Sequence, residues 1–89
     1  MVRARLTTVE VERGVELGRL LRVARGSRTA VEVAAEAGVS VETLRKIERG
    51  LVPTPAFFTI SALAGACDIS LDDLASALCP MEQAARRSA

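Results

Sequence analysis

The sequence predicts an all-α fold, a compact five-helix domain, from three observations. Hydrophobic residues make up 49% of the chain, yet Phe57 and Phe58 are its only aromatics. Small and medium apolar residues therefore have to build the core, which suits short, closely packed helices. Alanine, leucine and valine recur at spacings of three and four. Each such run is preceded by a residue able to cap a helix, and four of the five are followed by glycine or proline.

The first helix is expected from Thr8 to about Ala24. Thr7 and Glu10 have the spacing of a capping box, and Leu6 with Val11 that of a hydrophobic staple. Leu17, Leu20, Leu21 and Ala24 would face inward, while Gly14 and Gly18 weaken the segment. A competing reading exists for residues 1–13, where Val9 and Val11 alternate with Glu10 and Glu12 as in a strand or dimerising arm. Thr29 caps a second helix over about Ala30–Ala37, ended by Gly38. Ser40 caps a third from Val41 to about Arg49, ended by Gly50. Thr54 as cap and Pro55 at the first helical position begin a fourth, whose inward stripe is Phe57, Ile60, Leu63, Ala64 and Cys67. Ser70 caps a fifth, Leu71–Leu78, which Pro80 stops. The expected organisation is an N-terminal arm (1–7), a helical domain (8–78, with a tight helix–turn–helix unit at about 29–49) and a C-terminal tail (79–89).

Composition narrows the function. With no histidine, tyrosine or tryptophan, no nucleophile–base constellation can be assembled, and an enzyme is not expected. Cys67 and Cys79 form no Cys-x-x-Cys pair, so neither a metal site nor a disulfide framework is expected. Cys67 falls on an apolar stripe and reads as a small buried hydrophobe. No run is long and apolar enough for a membrane span, and no signal segment is recognisable. A cytoplasmic, nucleoid-associated protein is expected.

Charge is unevenly distributed although the net charge is only +1. Residues 13–49 hold eight positive residues (Arg13, Arg19, Arg22, Arg25, Arg28, Arg45, Lys46 and Arg49). Their five negatives (Glu16, Glu32, Glu36, Glu42 and Glu48) leave +3. Residues 51–79 hold only Asp68, Asp72 and Asp73, leaving −3. The first half is thus the candidate footprint for an anion.

Two helices joined by Gly38-Val39-Ser40 make a helix-turn-helix. Ala34 lets the helices approach, Gly38 takes a left-handed conformation, and Val39 plugs the angle between them. Leu44 and Ile47 bury one side of the third helix. Val41, Glu42, Arg45, Lys46 and Arg49 are left on the other, a face that a DNA major groove admits.

From Leu17 to Leu74 the chain resembles the Xre family of lambda-repressor-like helix-turn-helix regulators. The matching stretches are "LGRLLRVARG", "EVAAEAGVSVETLRKIERG", a proline-led helix and "DISLDDL". The resemblance implies a bacterial transcriptional regulator, commonly a repressor, that binds double-stranded DNA as a homodimer. It implies no cofactor and no small-molecule substrate. The family's base-reading positions fall on Val41, Glu42, Arg45 and Lys46, and its phosphate-touching hydroxyl on Thr43. Its helix 1 arginine falls on Arg22, implying a structural ion pair with Glu48. Two departures stand out: Ala30 occupies a position often held by a backbone-docking glutamine, and the preceding turn is one residue longer. Arg28, Thr29 and Ser40 are candidates to replace the missing phosphate contact, and Arg49 adds another.

Some roles stay divided. Glu42 either accepts from cytosine, or organises Arg45 and Lys46 by pairing along the helix and favours its N-terminus; the second is preferred. Val41 meets a thymine methyl or is merely tolerated. Phe58, with Ala62 and Gly65, forms either a dimer interface or an intramolecular contact under helix 1 or the tail. An alternative for the whole chain is an antitoxin-like interaction module on this scaffold, pointed to only by the basic "MVRARL" and "ARRSA" ends.

Overall fold

The computed structural model describes the backbone of residues 7–88 and the side chains of residues 7–79. Five helices follow in order: α1 (Thr8–Arg25), α2 (Ala30–Ala37), α3 (Val41–Glu48), α4 (Phe57–Ala66) and α5 (Leu71–Ser88). No strand occurs among the described residues. Segment 8–13 is therefore helical and not a strand, while residues 1–6 of the expected arm lie outside the described residues.

Local chemistry starts most of these helices. At α1 the Thr7 hydroxyl accepts from the Glu10 N–H at 3.1 Å, and the Glu10 carboxylate accepts from the Thr7 N–H at 2.8 Å. The same reciprocal box, at the same two distances, joins Thr29 and Glu32 at α2. Each box satisfies two backbone donors that a helix start would leave open. Ser40 caps α3 through the Thr43 N–H, and Ser70 caps α5 through the Asp73 N–H.

The core forms where these helices converge. Leu17, Leu21, Val33, Ala34, Leu44, Ile47, Leu63, Ala64, Cys67 and Leu74 are buried together. Helix α1 packs against α3 and α5, and α2 against α3 and α4. Burial pushes the Cys67 thiol above its ordinary value, so it stays a neutral part of that core.

Two expected boundaries are corrected. Helix α4 begins at Phe57 with Ala56 as its cap, and Thr54 makes no cap. Thr54 precedes Pro55, and a residue before proline is pushed toward extended backbone. Pro53 is also held against α1, since a Cβ on Gly14 would lie 2.8 Å from its Cα. The chain therefore stays out of the helix for two more residues. Phe57 then sits in the first turn, 62% exposed, and not on the inward stripe. Helix α5, for its part, runs through Pro80 to Ser88. Proline removes one ladder hydrogen bond, but the Met-Glu-Gln-Ala-Ala-Arg-Arg that follows consists of good helix formers. The backbone thus has no break at residue 79.

Candidate nucleic-acid interface

The turn between α2 and α3 carries the geometry of the site. Gly38 has φ of +73°, a left-handed conformation that a side chain resists. The Val39 N–H donates to the Ala34 carbonyl at 3.0 Å and closes the end of α2. Val39 packs partly buried against the core, and Ser40 starts α3 at once. Two helices are thereby joined through only three residues.

The inner side of α3 is anchored completely. Leu44 and Ile47 are both 0% exposed. Behind them α1 comes so close that a Cβ on Gly18 would collide with the Ile47 carbonyl and lie 2.6 Å from that of Glu48. Gly18, read from sequence only as a weak helix residue, is what permits this approach. The regular Gly14-x-x-x-Gly18 spacing is the signal that marks it: both glycines lie on one side of α1.

The expected ion pair between Arg22 and Glu48 is corrected. Arg25 holds Glu48 with two parallel hydrogen bonds, Nε to Oε2 at 2.8 Å and Nη2 to Oε1 at 2.9 Å. The side chains are only 18% and 8% exposed. The Glu48 carboxylate hydrogen bond raises the Arg25 guanidinium above its ordinary value, which holds the guanidinium in its charged form. Arg25 lies two turns beyond Gly18, on the face that meets α3, whereas Arg22 is exposed.

The outer side of α3 is open. Glu42, Arg45, Lys46 and Arg49 are exposed, and Val41 and Thr43 are half-buried at its edges. Glu42 and Lys46 pair at 3.9 Å, one turn apart. Of the two cations considered as partners of Glu42, the pair formed is with Lys46. Ser40 Oγ donates to Thr43 Oγ1 at 2.8 Å, so the two hydroxyls sit side by side at the N-terminus of α3. Thr29 is exposed at the N-terminus of α2.

Arg28, expected at a phosphate, is committed within the fold. Its Nη2 donates to the Ala66 carbonyl at 2.6 Å and its Nη1 to Glu36 at 3.3 Å. Nothing in its sequence context signals this, because Ala66 is distant in the chain.

On α4, Phe58 is 83% exposed and meets Phe57 edge to face, with ring centroids 5.3 Å apart. That exposure does not fit packing of Phe58 under α1, while the alternative of packing under the tail involves side chains outside the described residues. Gly65 faces open space. Ala62 and Gly65 also border a hollow of about 410 Å³ whose other walls include Arg28, Glu36 and Asp68. Beside Phe57 runs a groove of about 400 Å³, lined by Leu17, Pro53, Pro55, Ile60, Leu71 and Leu78 among others.

A family model described as a helix-turn-helix domain matches residues 16–78, well over half of the chain. The protein belongs to this helix-turn-helix family. The match begins one residue before Leu17 and ends at Leu78, so it spans the Gly18 approach, the Arg25–Glu48 pair, the turn at Gly38 and the open face of α3. A helix-turn-helix domain points to a DNA-binding regulator. No curated protein matches the chain. Among the described residues, no helix is long and apolar enough to cross a membrane, and no group of His, Cys, Asp or Glu could hold a metal ion.

Proposed function

We propose that this protein is a sequence-specific regulator of transcription, a repressor of the lambda-repressor-like type, that places α3 in the major groove. The observation that carries the reading is the division of α3 into two sides. Leu44 and Ile47 are wholly buried while Glu42, Arg45, Lys46 and Arg49 are exposed. A helix held from behind can present long side chains to base edges without moving its backbone.

Arg45 is the principal base reader in this proposal, as a bidentate donor to guanine. Lys46, steered by Glu42, reads the neighbouring position, and Val41 lies where a thymine methyl would meet it. Thr29, Ser40, Thr43 and Arg49 set the register on phosphates. Arg28 is withdrawn from that set, since its guanidinium is engaged elsewhere. The working form is a cytoplasmic homodimer on a two-fold site, with Phe58 at the interface and Ala62 and Gly65 beside it. Support comes from the exposure of Phe58, a large aromatic whose ring meets Phe57, itself a wall of an apolar groove. A self-complementary patch is what a two-fold interface requires. The basic ends that would favour an interaction module lie outside the residues whose side chains are described.

Selection of binding sites from random duplex DNA tests the proposal. The expected result is an enriched two-fold symmetric site whose affinity falls steeply with salt, by a log–log slope of about −0.9 per phosphate neutralised. A folded protein that enriches no site overturns it.

A further inference from the structure

Arg28 stands at the centre of a hydrogen-bond chain linking four helices. Its Nη2 reaches the carbonyl of Ala66 at the C-terminus of α4, at 2.6 Å. Its Nη1 reaches Glu36 near the end of α2, at 3.3 Å. Its own backbone carbonyl accepts from Arg25 Nη1 at 2.7 Å. Arg25 in turn grips both oxygens of Glu48 at the end of α3. Every donor on this path is a guanidinium, whose planar fork fixes direction as well as distance.

The order of dependence follows from the geometry. Between the end of α1 and the Thr29 cap, residue 28 is tied back to α1 by a long 3.4 Å bond from its N–H to the Arg25 carbonyl, and a Cβ on Gly26 would meet open space. Strapping the Arg28 side chain to α4 holds that turn in place. The carbonyl of residue 28 is then held where Arg25 can bond it. With Nη1 so occupied, the remaining edge of Arg25, Nε and Nη2, is aimed at Glu48 as a parallel pair. A loose turn would leave Arg25 free to rotate, and α3 would lose the tie at its C-terminal end.

We infer that Arg28 is a positioning residue for the recognition helix, acting through Arg25 and Glu48, and not a phosphate contact. The inference rests on the reading of α3 as the DNA-binding helix for its functional consequence, but the strap itself can be observed without DNA.

The test uses the full chain and side-chain NMR of the arginine Nε–H groups. In R28M the Arg25 Nε–H signal is expected to shift or broaden, and hydrogen exchange at the Arg49 and Gly50 amides to rise. R28K, which can again donate to the Ala66 carbonyl, is expected to restore both. On the selected DNA site, R28M is expected to lose discrimination against a mismatched site several-fold while its salt slope stays that of the wild type. A direct phosphate contact predicts the opposite: specific and non-specific binding fall together, and the slope shrinks by about 0.9. That result overturns the inference, as does an unchanged Arg25 signal in folded R28M. Should R28M not fold, the wild type decides. Adding DNA should leave the Arg28 Nε–H signal in place while that of Arg49 moves; movement of both overturns the inference. Failure to select any DNA site would sink the proposed function, while the spectra of the free protein would still decide the strap.

Discussion

Helices α3 and α4 are neighbours in sequence and similar in length, yet they meet solvent in opposite ways. Helix α3 has a hydroxyl cap, a sharp glycine turn before it, and its last glutamate gripped by Arg25. Its exposed side is charged. Helix α4 starts at Ala56 with no side-chain cap, and its first turn exposes two phenylalanines. Its described residues carry no charge at all. The contrast is one of preparation. A helix that reads hydrogen-bond patterns must be rigid before it binds, because base edges tolerate little misplacement. A surface that gains energy from burying apolar area is non-directional and needs exposure more than precision.

The largest expected effect breaks the anchored side. Glu48→Gln leaves the Arg25 guanidinium mostly buried without its counter-charge, and about 3 kcal/mol of stability should be lost in urea unfolding. Arg22→Ala serves as its control and should stay within about 0.5 kcal/mol. Equal effects from the two would place the clamp wrongly. Gly18→Ala comes next. Its methyl meets backbone carbonyls, which cannot swing aside, so a loss of about 2–3 kcal/mol is expected.

Weaker effects should appear on the open side. Arg45→Ala should leave the melting temperature unchanged and cost about 1–3 kcal/mol of discrimination at one base position, measured by competition with single-site variants. Uniform weakening across all sites would make Arg45 a backbone contact instead.

On α4, Phe58→Asp should keep the fold and shift sedimentation toward the monomer. A wild-type protein that is monomeric at all concentrations would end the dimer proposal. Gly65→Ala should raise stability by about 0.5–1 kcal/mol, since a helical glycine with open space gains from a Cβ.

The smallest effect compares helix starts by pH. The Thr7 backbone N–H, and then its hydroxyl, hold the Glu10 carboxyl below its ordinary value of 4.5; Thr29 does the same for Glu32. Each group is therefore depressed in the folded state. Its contribution is fully present above the unfolded value and fades as pH falls below 4.5 through the folded value. Helix α4 has no such carboxylate. Hydrogen exchange at the starts of α1 and α2 should rise in that acid range, and that at the start of α4 should not follow. A common response of all three would mean global unfolding and not cap loss.

The sequence by itself determined the helices, the turn and the two sides of α3. These follow from contacts within a few residues: Thr-x-x-Glu boxes, a glycine at the left-handed position, and the three-residue step from Leu44 to Ile47. At α2 the Thr29 cap was expected, and the structure adds the Glu32 half of the box. Only the tertiary structure decided which arginine holds Glu48, that Gly14 and Gly18 serve close approach, and that Arg28 turns inward to α4. Arg22 and Arg25 lie one turn apart with the same chemistry, and the packing of α1 on α3 selects between them. The start of α4 was likewise settled at a distance, by Pro53 seated against α1. Local hydrogen bonds select the elements; long side chains choose partners only once those elements have packed.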